Sequence, residues 1–256
     1  MAQNLDRLFF NKMGTLRHEY SNLYHSLFKH PDPYIKVIEV LSTKKIGLSR
    51  QEIIAECKLN NNGMLSRILD DLETCGFIRK YEMRGIKRGL AVFQLIDNYT
   101  LFYFKFIKGK SRVDEDFWSL NVNFPTVFVW EGLAFEKVCF LHYRQIKMAL
   151  GISGVSTEYF SWQVRGDEVN DGAQIDMVID RADKTANLCE IKYSNSEFVI
   201  DKAMDKNLRN KMERYRQAEK GRRNLLMTLI SPYGLKENMY SSIIQNVITL
   251  DDLFAE

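Results

Sequence analysis

The sequence predicts a mixed α+β or α/β protein in two parts, a helical module with a small hairpin over residues 1–110 and a mixed sheet flanked by helices over 111–256. Three observations carry this. Apolar residues recur at helical spacing through the first 75 or so positions. Two short apolar runs then flank a basic tip. After a polar stretch, helix and strand patterns alternate to the end of the chain.

Residues 16–29 carry Leu16, Tyr20, Leu23, Tyr24 and Leu27 at helical spacing, and Pro31 and Pro33 interrupt the pattern. A helix restarts at Tyr34 with Ile35, Ile38 and Leu41 inward. Ser49 and Glu52 form a capping box for a helix over 50–57 that presents Ile53 and Ile54. Asn60, Asn61, Asn62 and Gly63 make a turn. A third helix then turns Leu65, Ile68, Leu69 and Leu72 inward and stops at Gly76. Strands over 77–81 and 90–95 enclose a tip bearing Arg84, Lys87 and Arg88. Three short helices and a basic hairpin make a winged-helix arrangement. The third helix offers Arg67, but also Asp70, Asp71 and Glu73, which would repel a phosphate backbone. Duplex binding and a packing or regulatory role are therefore both open for this module.

Residues 97–107 (DNYTLFYFKFI) are apolar around most of a helix, so the segment is expected to be buried between the two parts. Residues 108–116 are polar and read as the linker. A long helix is expected over 130–149 and strands over 158–163, 173–180 and 187–193, with a turn at 181–185 joining the last two. A basic amphipathic helix over 202–222, strands over 225–230 and 247–250 and a short cap complete the chain.

Composition narrows the function classes. Hydrophobic residues are 45% and charged residues 27% of 256, which excludes a disordered or fibrous chain. A net charge of +3 is too small to imply nucleic acid by itself, so any basic argument must be local. No apolar run is long enough to span a bilayer, and the first residues lack a signal core, so neither membrane nor export is expected. The four cysteines are scattered; Cys75, Cys139 and Cys189 have apolar neighbours and are expected to be buried thiols in a reducing cytoplasm. Gly109-Lys110-Ser111 mimics the end of a phosphate-binding loop, but Phe104 stands where that loop needs its first glycine.

The chemistry concentrates in one hairpin. Glu190 and Lys192 are two apart on one strand and share a face, while Cys189 and Ile191 face the other way. If the turn centres on Asp183, Asp176 lies across from residues near Glu190. Two carboxylates and a lysine suit metal-assisted phosphodiester hydrolysis. Asp176, Glu190 and the backbone carbonyl of Ile191 would hold Mg2+, or Mn2+, a hard cation that prefers oxygen. Lys192 would orient or deprotonate the attacking water or neutralise charge on the phosphate. Glu136, on the preceding helix, offers a further carboxylate. The bland alternative is a solvated Glu–Lys pair on an exposed strand face. The basic helix that follows, with Arg209 and Lys211 among nine cations, is what a phosphate backbone beside the site would need.

At Glu136, Asp176, Glu190 and Lys192 the sequence resembles the PD-(D/E)XK nuclease superfamily. More of the chain, in HEYSNLYHSLF, LDDLETCGFIRKY, LIDNYTLFYFKFI, WEGLAFEKVCF, GAQIDMVID and LCEIKYS, resembles the C-terminal region of prokaryotic AAA-type ATPases of the signal-transducing NTPase group. That resemblance implies a winged helix followed by a restriction-endonuclease-like sheet, with DNA as partner. The ATPase module and its phosphate loop are absent here, which leaves open a chain without the N-terminal part of such a protein, a protein that acts without ATP, and an ATPase module acting in trans. Arg67, Arg84, Lys87, Arg88, Arg209 and Lys211 would then meet phosphates. Gln174 departs from the acid that many such nucleases carry two residues before the metal aspartate. A catalytically inert nuclease fold with a regulatory role is the alternative.

Overall fold

The computed structural model describes residues 2–60, 63–84, 90–109, 114–167 and 171–255. The chain forms two compact units, Met1–Tyr81 with Ala91–Trp130, and Glu82–Leu90 with Glu131–Glu256. The division in the second half of the chain thus falls after Trp130, not after residue 110.

The reason is a core of its own in the first unit. A short helix α1 (Ala2–Leu5) runs into one π-helical turn, Asp6–Phe10. Phe9 and Phe10 bury against Phe102, Phe106, Trp118 and Val127. Asp6 is itself buried and accepts the backbone N–H groups of Trp118, at 2.7 Å, and Ser119, at 3.0 Å. The aromatic segment 97–107 therefore packs inside this unit. It splits into α6 (Asn98–Phe102), capped by the Asp97 side chain, and a π-helical turn, Tyr103–Ile107.

The other core of this unit collects α2 (Glu19–Leu27), α3 (Asp32–Ser42), α4 (Arg50–Cys57) and α5 (Gly63–Thr74). Pro31 and Pro33 occupy the start of α3, where a missing N–H costs little. The Ser49 hydroxyl accepts from Glu52 N–H and the Glu52 carboxylate accepts from Ser49 N–H, completing the capping box. Leu65, Ile68, Leu69 and Leu72 form the buried stripe of α5. Gly76, at φ +76°, turns the chain out of that helix into β2 (Ile78–Arg84). Cys75, just past the end of the stripe, is exposed, contrary to expectation, and Cys57 is buried instead. Strand β1 (Leu48–Ser49) pairs antiparallel with β3 (Leu90–Leu95), and β3 neighbours β2. Lys87, Arg88 and the asparagines at 61 and 62 lie outside the described residues.

Between the aromatic turn and the second unit come α7 (Phe117–Asn121) and α8 (Pro125–Leu141). Helix α8 starts at a proline, five residues earlier than the apolar pattern suggests. It stops at His142, whose φ −96° and ψ 26° leave the helical region, and α9 (Tyr143–Ala149) follows. The expected single helix over 130–149 is thus two.

The second unit is built on five strands in the order β4 (Thr157–Val164), β5 (Ala173–Arg181), β6 (Thr185–Ile191), β7 (Asn224–Ile230) and β8 (Asn246–Ile248). The first three are antiparallel, and β6, β7 and β8 run parallel, so the sheet is mixed. A parallel neighbour needs a crossover, and α10 (Lys202–Ala218) supplies it between β6 and β7. Each face has a core. Phe135, Cys139, Phe140 and Ile146 cover Met177, Ile179, Cys189 and Ile191, while Leu208 and Tyr215 of α10 cover Val178, Ala186, Leu188 and Met227. A final turn α11 (Leu250–Leu253) is capped by Thr249. Among the described residues, no helix is long and apolar enough to cross a membrane.

Candidate active site

The β5–β6 hairpin pairs Met177 with Cys189 and Asp180 with Ala186, so its turn centres on Asp183. Continued one step, that register sets Asp176 opposite Glu190. The Ile191 N–H donates to Asp176 Oδ2 at 3.0 Å, which ties the carboxylate to the end of β6.

Asp176 also sits at an irregularity. Phe160 pairs with Val178 but Trp162 pairs with Ile175, so the single residue Ser161 opposes both Asp176 and Met177. One extra residue in β5 is a β-bulge, a device that re-aims a side chain. Its consequence shows in the cores: Ile175 and Val178, three apart, join the α10 face, while Met177 and Ile179 join the α8 face. The Ser161 hydroxyl pins the bulge by donating to the Asp176 carbonyl at 2.8 Å.

Glu190 is only 2% exposed, which disposes of the solvated-pair reading, because an exposed strand face would leave it in water. Its Oε1 accepts from Lys192 Nζ at 2.8 Å and its Oε2 from Lys211 Nζ at 2.5 Å. Lys192 lies just beyond β6, held by its own N–H on the Ile230 carbonyl. Desolvation raises the Asp176 carboxyl to about 6, and the charges of Glu190 and Glu136 push the same way. Burial pulls the Lys192 ammonium down, but Glu190, Asp176 and Glu136 more than offset this and hold it above its ordinary value. Lys192 therefore enters the site as a cation, suited to orienting water or neutralising phosphate charge rather than to removing a proton.

Four of the expected residues thus come together: Glu190 and Lys192 by an ion pair, Asp176 by its hydrogen bond to the intervening Ile191 N–H and by its charge, and Glu136, from α8, by its field. The phosphate-contact residues do not behave as a set. Lys211 is not on the solvent face of α10; it lies on the inward stripe between Leu208 and Tyr215 and is spent on Glu190. Arg209 is on the solvent face but bridges Asp205 at 3.0 Å. Arg84, which belongs with the second unit, pairs with Glu82 and Glu158 and stacks on Phe160. Arg67, in the first unit, reaches Asp71 at 3.8 Å. Lysine at 211 was the residue most easily missed as part of the site. The available signal was an ionisable group at an apolar position, i+3 from Leu208 and i−4 from Tyr215.

Two carboxylates and the Ile191 carbonyl are the right donor chemistry for a hard divalent cation. Among the described residues, no three His, Cys, Asp or Glu side chains are gathered tightly enough to hold a metal by themselves. Substrate oxygens and water would have to complete the shell, as Mg2+ commonly requires.

No family model and no curated protein matches the chain. Among solved structures, it is similar at 16% identity to AF1548, a protein of unknown function, over 45% of this chain and 64% of that one, with a TM-score of 0.30. The chain thus spans under two thirds of that protein, and a likeness this slight carries no argument.

Proposed function

We propose that the second unit is a metal-dependent phosphodiester hydrolase of the PD-(D/E)XK type acting on nucleic acid, most simply DNA. The observation that carries this reading is the bulge-borne Asp176 facing the buried Glu190–Lys192 pair at the end of a hairpin. Exposed charge needs no such device, and buried charge is retained where it works. The mixed sheet order and the crossover helix are what a restriction-endonuclease-like fold would have. The three helices and hairpin of the first unit fit a winged helix, a binding partner for duplex DNA.

In this reading Asp176 and Glu190, with the Ile191 carbonyl, hold Mg2+ or Mn2+. The bound cation would polarise the phosphate and acidify a water. Lys192 keeps its ammonium beside Glu190 and places positive charge where the phosphate gains negative charge. Glu136 keeps the local field negative and favours a cation. The free cysteines fit a reducing cytoplasm, and an ATPase module in trans is the partner that the family resemblance suggests.

The test is cleavage of plasmid and single-stranded DNA and of RNA with Mg2+ or Mn2+, wild type beside Asp176→Ala. We expect metal-dependent cleavage lost by a factor of at least about 100 in the variant. Equal rates in the two proteins would end the assignment. A second reading, an inert nuclease fold serving an ATPase system, is favoured by one observation: both Glu190 oxygens are already held by lysines. It expects no cleavage by either protein.

A further inference from the structure

We propose that Lys211 is a tethered cation that holds Glu190 in the metal-free protein and must be displaced for a divalent ion to bind there. The inference rests on the reading of Asp176 and Glu190 as a metal site and adds a control on its loading. Lys211 comes from a different element, α10, and is delivered by its inward stripe with its side chain only 10% exposed. Its Nζ lies 2.5 Å from Oε2, on the far side of the carboxylate from Lys192.

The groups facing the cluster are Asp176 from β5, Glu190 from β6, Lys192 just after it, Glu136 from α8 and Lys211 from α10. Without Lys211, Glu190 and Asp176 would share one ammonium in a poorly hydrated place, which is costly. With it, the metal-free cluster is nearly neutralised. A divalent ion on Glu190 would sit within a few ångströms of that ammonium, and like charges at that range repel strongly away from bulk water. Lysine has a flexible four-carbon stem, so it can swing clear where a fixed guanidinium fork would not. Metal binding therefore includes the work of breaking the Lys211–Glu190 pair, and the apparent affinity is lowered by that amount.

The test is calorimetric titration with Mg2+ and with Mn2+ at one pH and ionic strength, using wild type, Lys211→Met, Lys206→Met and Asp176→Ala. Lys206 is exposed on the same helix, so its variant removes a positive charge without touching Glu190. We expect Lys211→Met to bind about ten-fold or more tightly than wild type, Lys206→Met to stay within about two-fold, and Asp176→Ala not to bind. Equal affinity in wild type and Lys211→Met, with binding still lost in Asp176→Ala, overturns the role of Lys211 and leaves the metal reading standing. Equal gains in Lys211→Met and Lys206→Met also overturn it, since only net charge would then matter. No binding by any of the four, Lys211→Met included, overturns the role of Lys211, since removing that lysine would then not open Glu190 to a divalent ion; the metal reading itself is decided by the cleavage assay, where substrate oxygens can complete the shell. Should Lys211→Met not fold, acetylation of wild-type lysines followed by mass spectrometry decides the matter. Lys211 should react several-fold faster with saturating Mg2+ than without, and unchanged reactivity at saturation overturns the proposal.

Discussion

Asp176 is held between two opposing demands. The Ile191 N–H favours its carboxylate, while desolvation and the charges of Glu190 and Glu136 oppose it, and the balance puts the group at about 6. In the unfolded chain it returns to about 3.8. Below about pH 4 both states are protonated and the folded state carries no penalty. As pH rises from about 4 to about 6, the unfolded chain loses its proton first, so metal-free stability falls; above about 6 the penalty is complete. Asp176→Asn keeps an acceptor for the Ile191 N–H and removes the charge. Urea unfolding across that window should show wild type losing on the order of 1–3 kcal/mol relative to the variant. Parallel curves would mean that the carboxyl is hydrated in the folded protein. Glu190 gives the converse case. Glu190→Ala strands two lysines and should cost about 3 kcal/mol in the same measurement, because a buried charge loses its partner.

At the scale of elements, local chemistry and packing make separable contributions. The Ser49–Glu52 box is local: Ser49→Ala should cost about 1 kcal/mol of stability, and Ser49→Asp should restore most of it. The α5 stripe is tertiary: Leu72→Ala, at a fully buried position, should cost about 2–5 kcal/mol by transfer and cavity together. The hairpin of β5 and β6 combines both kinds. Its turn and alternation were legible, because Asp183 and the period-two apolar pattern announce them. The bulge at Asp176 was not legible. Nothing in AQIDMVID separates a regular strand from one with an extra residue; only the pairing with β4, which changes register at Ser161, reveals it. The end of α8 was also hidden, since His142 has no helix-breaking character of its own.

At the scale of the molecule, charge is distributed so that the basic helix α10 serves two surfaces. Its inward face sends Lys211 to Glu190, and its outward face carries Lys202, Lys206 and Arg209 in the open. If that outer face meets phosphates, nucleic-acid affinity will fall steeply with salt. Arg209→Ala should then lower the slope of log affinity against log salt by about one, without changing which sequences are bound. Filter binding over a salt series measures this, and an unchanged slope would remove Arg209 from the interface.

The sequence by itself determined the secondary structure of most segments, the placing of Asp176 near Glu190 across one hairpin, and the presence of Lys192 on the same side as Glu190. Those features depend on period, turn chemistry and short-range parity, which neighbouring residues impose. Only the tertiary structure decided that Glu190 is buried, that Asp176 rides a bulge, that Lys211 is a partner of Glu190 rather than a surface cation, and that residues 114–130 pack with the first unit. Each of these is settled by contacts between segments distant along the chain. An ionisable residue looks the same in the sequence whether its helix presents it to water or to a carboxylate 21 positions away.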